Sequence, residues 1–207
     1  MERRRRVPNP LALAVLAWLL LEPMHPYELG RRLQQSGKDR HIKYTRSSLY
    51  MVVEQLTRAG FIVERETVRE GQRPERTVYE ITDEGRHEFH DWLRALLAQP
   101  REEYPHFAVA LSLLSLLPPD EVVEVLRKRL AALATRIDES RAATAEALDR
   151  GVEWYFLVEE RYALALMEAE RAFVTELIQS LAAPGYVNSW REAMGKQSDV
   201  TETPQHP

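Results

Sequence analysis

The chain has 207 residues, enough for one large domain or two small ones with a buried core. Apolar residues make up 44% and charged residues 29%, the usual balance of a soluble globular protein. The absence of cysteine excludes disulfide frameworks and thiolate metal sites. It also fits a reducing compartment, so we expect a cytoplasmic protein.

The charge is unevenly distributed along the chain. Residues 1–98 carry 17 Lys+Arg against 14 Asp+Glu, a net of +3, whereas residues 99–207 carry 11 against 18, a net of −7. This asymmetry favours a polyanionic partner for the first half only. Arg3–Arg6 could form a flexible basic arm, although a terminal charge run is usually just solvated.

The first predicted helix runs from Pro10 to Glu22 and is apolar on nearly all sides, which indicates burial. With the arginines before it, the run superficially resembles a secretion signal. However, Pro23 and Pro26 stand where a small-residue cleavage site should lie. The run is also shorter than the roughly 20 residues that span a membrane. We therefore favour a buried helix.

Two further helices and a hairpin are predicted next. A second helix covers about 27–35, and a third starts near Thr45 or Ser47 and ends at Gly60. Two β-rich runs, 61–63 and 77–81, flank a charged turn, and Thr82 can cap a fourth helix that ends at Pro100. The inner face of the third helix is predicted to consist of Leu49, Val52, Val53 and Leu56.

A polar-tipped helix followed by a basic hairpin is typical of a winged helix-turn-helix domain, which reads DNA. The N-terminal side chains of such a helix reach base edges in the major groove, and the hairpin contacts the adjacent backbone. Arg46 can form bidentate hydrogen bonds with guanine, whereas one of the serines is expected to serve as a helix cap. The candidate DNA contacts are Tyr27, Lys43, Thr45, Arg46, Ser47, Ser48, Tyr50, Arg69, Arg73 and Arg76.

From about Tyr104 the pattern becomes entirely helical. A helix up to Leu117 precedes a long one from Asp120 to about 149, and another follows from Val152 to Ala182. Such long amphipathic helices form a hairpin whose outer stripe needs a partner, and a second copy of the chain is the economical one. Packing against residues 104–117 in a monomer is the alternative. The candidate dimer contacts are Leu126, Leu130, Leu133, Ile137, Val158, Tyr162, Phe173 and Leu177.

Several motifs resemble the PadR family of transcriptional regulators over residues 10 to about 97. They are Pro23–Leu29, Ser47–Tyr50, Leu56–Ile62 and Val78–Gly85, in the order and spacing of the family. The later helices resemble the dimerisation domain of the larger PadR-type proteins, which a virulence-gene activator shares. The resemblance implies a repressor of a nearby operon, relieved in many members by a small molecule.

Three positions depart from the family pattern. Pro26 and Ser47 stand where the family usually has glycine, and Met51 stands where it has proline. Pro26 suits the first turn of a helix. Ser47 alters the turn that presents the third helix, so it bears on the target sequence more than on DNA binding itself.

Ligand sites are less clearly marked. Trp18, Trp92, Trp154 and Tyr155 could stack a planar aromatic effector, although aromatic residues at helical spacing more often fill cores. His87 and His90 stand three residues apart but lack an evident third ligand, so we predict no metal and no cofactor. No phosphate-binding glycine loop, nucleophile elbow or metalloprotease helix occurs, which argues against an enzyme.

The sequence thus predicts a mainly α-helical protein. A winged helix-turn-helix domain covers residues 1–98, an antiparallel helical dimerisation domain 99–183, and a partly disordered tail 184–207. Its expected partners are a pseudo-palindromic operator in double-stranded DNA, a second copy of the chain and a small aromatic effector, with no membrane. The alternatives are a ligand-sensing or interaction module whose DNA-binding surface has lapsed, and a MarR-like regulator.

Overall fold

A computed structural model describes residues 7–36, 42, 44–68 and 76–201, with only the backbone of 66–68, 76 and 194–201. The chain divides into two compact units, Met1–Glu103 and Tyr104–Pro207. The division falls a few residues after the predicted boundary at 98. Both units are mainly helical in their described parts, and the first contains a two-stranded antiparallel hairpin, as the sequence predicted.

The N-terminal unit begins with α1, Pro10–Leu21. The Asn9 side chain caps this helix by accepting a hydrogen bond from the Leu11 backbone N–H at 3.0 Å. Pro10 occupies the first turn, where its missing N–H costs nothing. One face of α1 supplies the centre of the core, through Leu11, Ala12, Val15, Leu16 and Leu19.

Helices α2, Pro26–Gln35, and α3, Arg46–Arg58, pack closely against each other. A β-carbon at Gly30 would lie only 3.3 Å from Leu49 Cδ2, so the small residue on α2 permits this approach. The Tyr44 hydroxyl donates to the Gly30 carbonyl oxygen at 3.0 Å and ties the segment before α3 to α2. The predicted inner face of α3 is confirmed, since Leu49, Val52, Val53 and Leu56 are all buried.

The hairpin consists of β1, Ile62–Val68, and β2, Arg76–Ile81, with Ile62 opposite Ile81. Met24, just before α2, joins its edge through two backbone hydrogen bonds with Tyr79, both 3.1 Å long. Gly60 closes α3 with a φ of 76°, a conformation that favours glycine. These connections fix the hairpin to the helical body.

Helix α4, Asp83–Ala98, starts against the hairpin. The Thr82 hydroxyl accepts from the Gly85 N–H at 3.0 Å, which confirms the predicted cap. A β-carbon at Gly85 would lie 2.1 Å from the Phe61 carbonyl oxygen, so only glycine fits there. On α4, Trp92 is buried, whereas Leu93, Leu96 and Leu97 are exposed.

The described part of the C-terminal unit, residues 104–201, contains four α-helices: α5, His106–Ser112; α6, Pro119–Asp149; α7, Val158–Ala182; and α8, Pro184–Thr201. Short 3-10 turns lie at Leu114–Leu116 and Trp154–Phe156. α6 and α7 pack along each other, joined by ion pairs from Arg129 to Glu170 at 2.6 Å and from Arg141 to Glu168 at 2.5 Å. Their shared apolar cluster contains Val122, Val123, Leu126, Val174 and Leu181.

Two expectations for this unit were wrong. The predicted helix from Val152 begins only at Val158, after a 3-10 turn, and the single helix over 104–117 is α5 followed by another such turn. Residues 184–201 of the predicted tail are helical. Residues 202–207 lie outside the described part.

Several of the predicted dimer contacts are already buried within a single chain. Leu126, Leu133 and Ile137 are buried, with exposures of 5%, 4% and 0%, and Leu130 and Leu177 are half-buried. These side chains face the interior of the unit because α7 follows α6 directly and covers them. By contrast, Val158, Tyr162 and Phe173 remain about half exposed or more.

Candidate nucleic-acid interface

The start of α3 is held by a reciprocal cap. The Thr45 hydroxyl accepts from the Ser48 N–H at 3.1 Å, and the Ser48 hydroxyl accepts from the Thr45 N–H at 2.8 Å. The same Ser48 hydroxyl lies 2.9 Å from the Thr45 carbonyl oxygen, to which it donates. Such a cap satisfies backbone groups that would otherwise lack partners at a helix start. The hydroxyl of Ser48 is therefore engaged within the protein, and Ser48 is the capping serine.

The face of α3 that points away from the core is exposed to solvent. We call it the recognition face; it consists of Arg46, Ser47, Tyr50, Met51 and Glu54. These residues recur at helical spacing, so they form a continuous strip along the helix. Met51 and Glu54 were not among the predicted contacts. Their spacing from Ser47 and Tyr50 would have placed them on the strip.

Arg46 is positioned by an aromatic neighbour on α2. Its guanidinium carbon lies 5.8 Å from the centroid of the Tyr27 ring, within the range of a cation–π contact. Tyr27 is 53% exposed, so both side chains are on the surface. Within the described residues, Arg46 has no carboxylate within salt-bridge distance. Its positive charge is available to an outside anion.

Several other arginines of the N-terminal unit are paired with carboxylates. Arg31 and Arg32 both bind Glu28, at 2.9 and 3.3 Å, and Arg32 also binds Glu22 at 2.6 Å. At the far end of α3, Arg58 binds Glu54 at 3.1 Å. Such exposed pairs are weak, but they partly neutralise the charge that a phosphate would meet.

The ring of His25 lies beside the recognition face. The rings of His25 and Tyr50 meet edge to face, with centroids 6.4 Å apart. His25 also caps α2, because its Nδ1 accepts from the Tyr27 N–H at 3.0 Å. The start of α2 and the first turns of α3 are thereby held together as one surface.

The hairpin adds a polar edge whose described residues are largely paired. Arg65 binds Glu80 at 3.3 Å, and the Tyr79 hydroxyl donates to Glu64 at 3.5 Å. Partial burial, followed by the nearby charge of Glu64, raises the pKa of Tyr79 above its ordinary value. Tyr79 is thus a neutral hydrogen-bond donor at physiological pH.

Comparison with known proteins shows which family the N-terminal unit resembles. Residues 15–91 match the model of the transcriptional regulator PadR-like family, a span that contains α2, α3 and the hairpin. The chain is also 31% identical over 84 residues to the negative transcriptional regulator PadR of Bacillus subtilis, which is 41% of this chain and 46% of that protein. Residues 15–91 therefore resemble the PadR-like family, and the rest of the chain lies outside this match. The match spans about half of the curated relative.

Solved structures share the fold over most of the chain. The Bacillus subtilis PadR bound to operator DNA superposes with a TM-score of 0.69 at 18% identity, covering 84% of this chain and 99% of that one. The same protein with p-coumaric acid gives 0.67 at 19% identity, covering 84% and 99%. The Vibrio cholerae virulence activator AphA gives 0.60 at 16% identity, covering 83% and 97%. At these identities the likeness establishes the fold.

The predicted DNA contacts of the PadR-like domain fall into four groups. Tyr27, Arg46, Ser47 and Tyr50 meet on one exposed surface, whereas Thr45 and Ser48 form the cap beneath it. Lys43, Arg69 and Arg73 lie outside the described residues, as do Arg3–Arg6 and the charged turn. Arg76 is the first residue of β2, with only its backbone described.

The aromatic residues considered for an effector lie in different settings. Trp92 is 3% exposed and belongs to the core of the PadR-like domain, against which Trp18 packs. Trp18 also faces the Arg32 guanidinium, with the guanidinium carbon 5.8 Å from its ring centroid. In the C-terminal unit, Trp154 and Tyr155 are exposed on a 3-10 turn and meet edge to face at 6.0 Å. Core packing therefore accounts for the first pair.

The histidine pair on α4 has a local explanation. Nδ1 of His87 lies 2.8 Å from the Asp83 carbonyl oxygen, and Nδ1 of His90 lies 2.8 Å from the Arg86 carbonyl oxygen. Each ring thus hydrogen-bonds to its own helix. Throughout the described part of the chain, no three His, Asp or Glu side chains converge as a metal site would require. None of the described helices is both long and apolar enough to cross a membrane.

Proposed function

We propose that the protein is a homodimeric, sequence-specific repressor that acts in the cytoplasm and is released from its operator by a small molecule. The observation that carries this proposal is the recognition face of a PadR-like domain, which presents an unpaired Arg46 at the capped start of α3. A helix start with an available arginine suits the major groove, where arginine binds the N7 and O6 atoms of guanine.

The related proteins support both parts of this activity. The matched relative of Bacillus subtilis is a negative regulator of transcription, and its structure has been solved both with operator DNA and with p-coumaric acid. In the proposed complex, Arg46 reads a base, and Ser47, Tyr50 and Tyr27 contact the sugar-phosphate backbone or base edges. Lys43, Arg69, Arg73 and Arg76 would bind phosphates beside the groove.

The dimer is proposed to form through the exposed apolar strip of α7. Val158, Tyr162, Leu166 and Phe173 lie within one narrow sector of this helix, and each is about half exposed or more. A strip of this kind on a monomer usually marks an interaction surface. A two-fold axis through it would present two recognition faces, so the operator should be pseudo-palindromic, with half-sites one or two helical turns apart.

The first experiment is a binding titration of the full chain against its own upstream DNA, followed by fluorescence anisotropy at several salt concentrations. We expect nanomolar affinity, a steep loss with salt, and at least about a thousandfold preference over random DNA. Equal affinity for random and upstream DNA would contradict specific recognition at this site. A folded dimer that binds no DNA would favour the sensing or interaction module instead.

The dimer surface is tested separately by light scattering on size-exclusion chromatography. The double variant Leu166→Glu, Phe173→Glu should run as a monomer, because each change buries a charge in the proposed interface. Thr175→Glu is the matched control, since Thr175 is exposed on α7 away from the strip. A double variant that remains dimeric would place the interface elsewhere.

Release by a small molecule is tested on the DNA complex itself. A phenolic acid is the first compound to add, because the solved Bacillus subtilis relative was crystallised with p-coumaric acid. The expected result is a concentration-dependent fall in DNA affinity without a change in the salt dependence.

A further inference from the structure

The C-terminal unit contains a cavity at one end of its helical hairpin. It has a volume of about 420 Å³ and lies between the start of α6, the end of α7 and α8. That volume falls in the range of roughly 300–1,000 Å³ found for small-molecule sites. The start of α6 is far in sequence from the α7–α8 junction that it meets there, so no local sequence motif identifies the site.

The floor of the cavity is apolar and held in place. Val123 and Leu181 line it and are only 7% and 3% exposed, since they belong to the apolar cluster between α6 and α7. Trp190 forms part of the wall, and its Nε1 donates to the Ser115 carbonyl oxygen at 2.8 Å. This hydrogen bond anchors the indole, so the wall is already formed before a ligand arrives.

Two arginines at the cavity lack compensating partners. Arg127 and Arg191 both line it, and among the described residues neither has an ion-pair or hydrogen-bond partner through its side chain. Their neighbours on α6 differ, because Lys128 binds Glu124 at 2.7 Å and Arg129 binds Glu170 at 2.6 Å. Asp120 also lines the cavity, which leaves an excess of one positive charge among its ionised residues.

We propose that this cavity binds a small organic anion with a flat apolar body. The carboxylate or phosphate group would lie between Arg127 and Arg191, whose planar guanidinium groups match either head group in a bidentate arrangement. The apolar body would rest on Val123, Leu181 and the Trp190 indole. Binding at this site stands on its own; only its use as the effector site rests on the proposed function.

The test is isothermal titration calorimetry of the full chain without DNA. The probes are 2-naphthoate, 1-naphthyl phosphate and the uncharged 2-naphthamide, which share one ring system. We expect at least one of the two anions to bind at one site per chain, and the amide to bind at least about tenfold more weakly, because it cannot form a charge-assisted pair. The relative affinities of the two anions identify the preferred head group.

Charge variants assign the binding to this cavity. Arg127→Gln combined with Arg191→Gln should weaken anion binding about tenfold or more. Asp120→Asn should strengthen it, a direction that partial unfolding cannot mimic. Arg136→Gln is the matched control; Arg136 is an exposed residue of α6, roughly 13 Å further along the helix, and should change nothing.

Two results would overturn the proposal. One is the absence of saturable binding of either anion to the folded protein, and the other is undiminished affinity in the double arginine variant. Operator binding is measured separately on the same preparations, so a failure of the anion site and a failure of DNA binding are told apart.

Discussion

The two units of this protein differ in how completely each covers its own apolar side chains. The N-terminal unit encloses a continuous core that draws on α1, α2, α3, the hairpin and α4. The C-terminal unit has a smaller cluster between α6 and α7 and leaves large side chains such as Tyr162 and Leu166 exposed. The first unit therefore buries most of its apolar side chains by itself, whereas the second leaves an apolar strip that the proposed dimer would cover.

The largest predicted effect is on the stability of the N-terminal unit and comes from a substitution at Gly85. Gly85→Ala should lower the free energy of unfolding by about 3 kcal/mol or more, because the added methyl group would meet the Phe61 carbonyl oxygen at 2.1 Å. Gly185→Ala is the matched control, since no atom lies within 4 Å of its added β-carbon. Chemical denaturation measures both. Equal stability of the two variants would show that the junction of hairpin and α4 tolerates a side chain.

A substitution at Ile137 tests how much the buried interface between α6 and α7 contributes to the stability of the C-terminal unit. Ile137→Ala should cost about 3 kcal/mol, because its fully buried side chain would leave a cavity between the packed helices. Leu166→Ala should change the stability of the isolated chain little, because Leu166 is 53% exposed. Denaturation at low protein concentration, where the proposed dimer would dissociate, separates these effects. A similar loss in both variants would contradict the distinction between interior and strip.

Arg46 tests the recognition face without touching the core. Arg46→Ala should weaken operator binding by about 2 kcal/mol and relax the preference at one base position. Arg94→Ala serves as the control, because Arg94 is exposed on α4, outside the recognition face, and is paired with Asp91. Anisotropy on an operator and its single-base variants gives the comparison. If Arg46→Ala weakens binding equally on every sequence, Arg46 contacts phosphate and does not read a base.

The cap of α3 should give the smallest effect. Thr45→Ala removes the hydroxyl that accepts from the Ser48 N–H and should destabilise the N-terminal unit by about 1 kcal/mol. Ser47→Ala should cost less, since the Ser47 hydroxyl contacts only that of Thr45 at 3.0 Å. Thermal unfolding midpoints rank the two. A larger loss in Ser47→Ala would reverse the assignment of the cap.

Much of the N-terminal unit was predictable because its signals are local. A proline at a helix start, a threonine cap and a glycine at a helix end act over a few residues, and they placed α1, α3 and α4 to within one or two residues. The inner face of α3 followed from helical spacing alone. The same periodicity marked Arg46 and Tyr50 as surface residues, although the Tyr27 ring beside Arg46 appears only in the folded chain.

In the C-terminal unit, local sequence signals were not sufficient to predict the packing. Periodicity identified apolar positions on α6 and α7 but could not say which neighbour covers each one. Thus Leu133 and Ile137 were assigned to a dimer and are buried inside one chain, whereas Leu166 was missed and is exposed. Helical spacing alone cannot distinguish a side chain covered by the next helix from one that a second molecule would cover.

The sequence by itself determined the order and type of most elements, the caps of the helices, the inner face of α3 and the likeness to PadR regulators. Only the tertiary structure decided which apolar residues of α6 lie inside, and that Arg127 and Arg191 meet Trp190 around one cavity. The physical reason is the sequence separation over which each interaction acts. Backbone capping and helical periodicity act between residues a few positions apart, whereas burial and charge pairing depend on side chains that the fold brings together from distant parts of the chain.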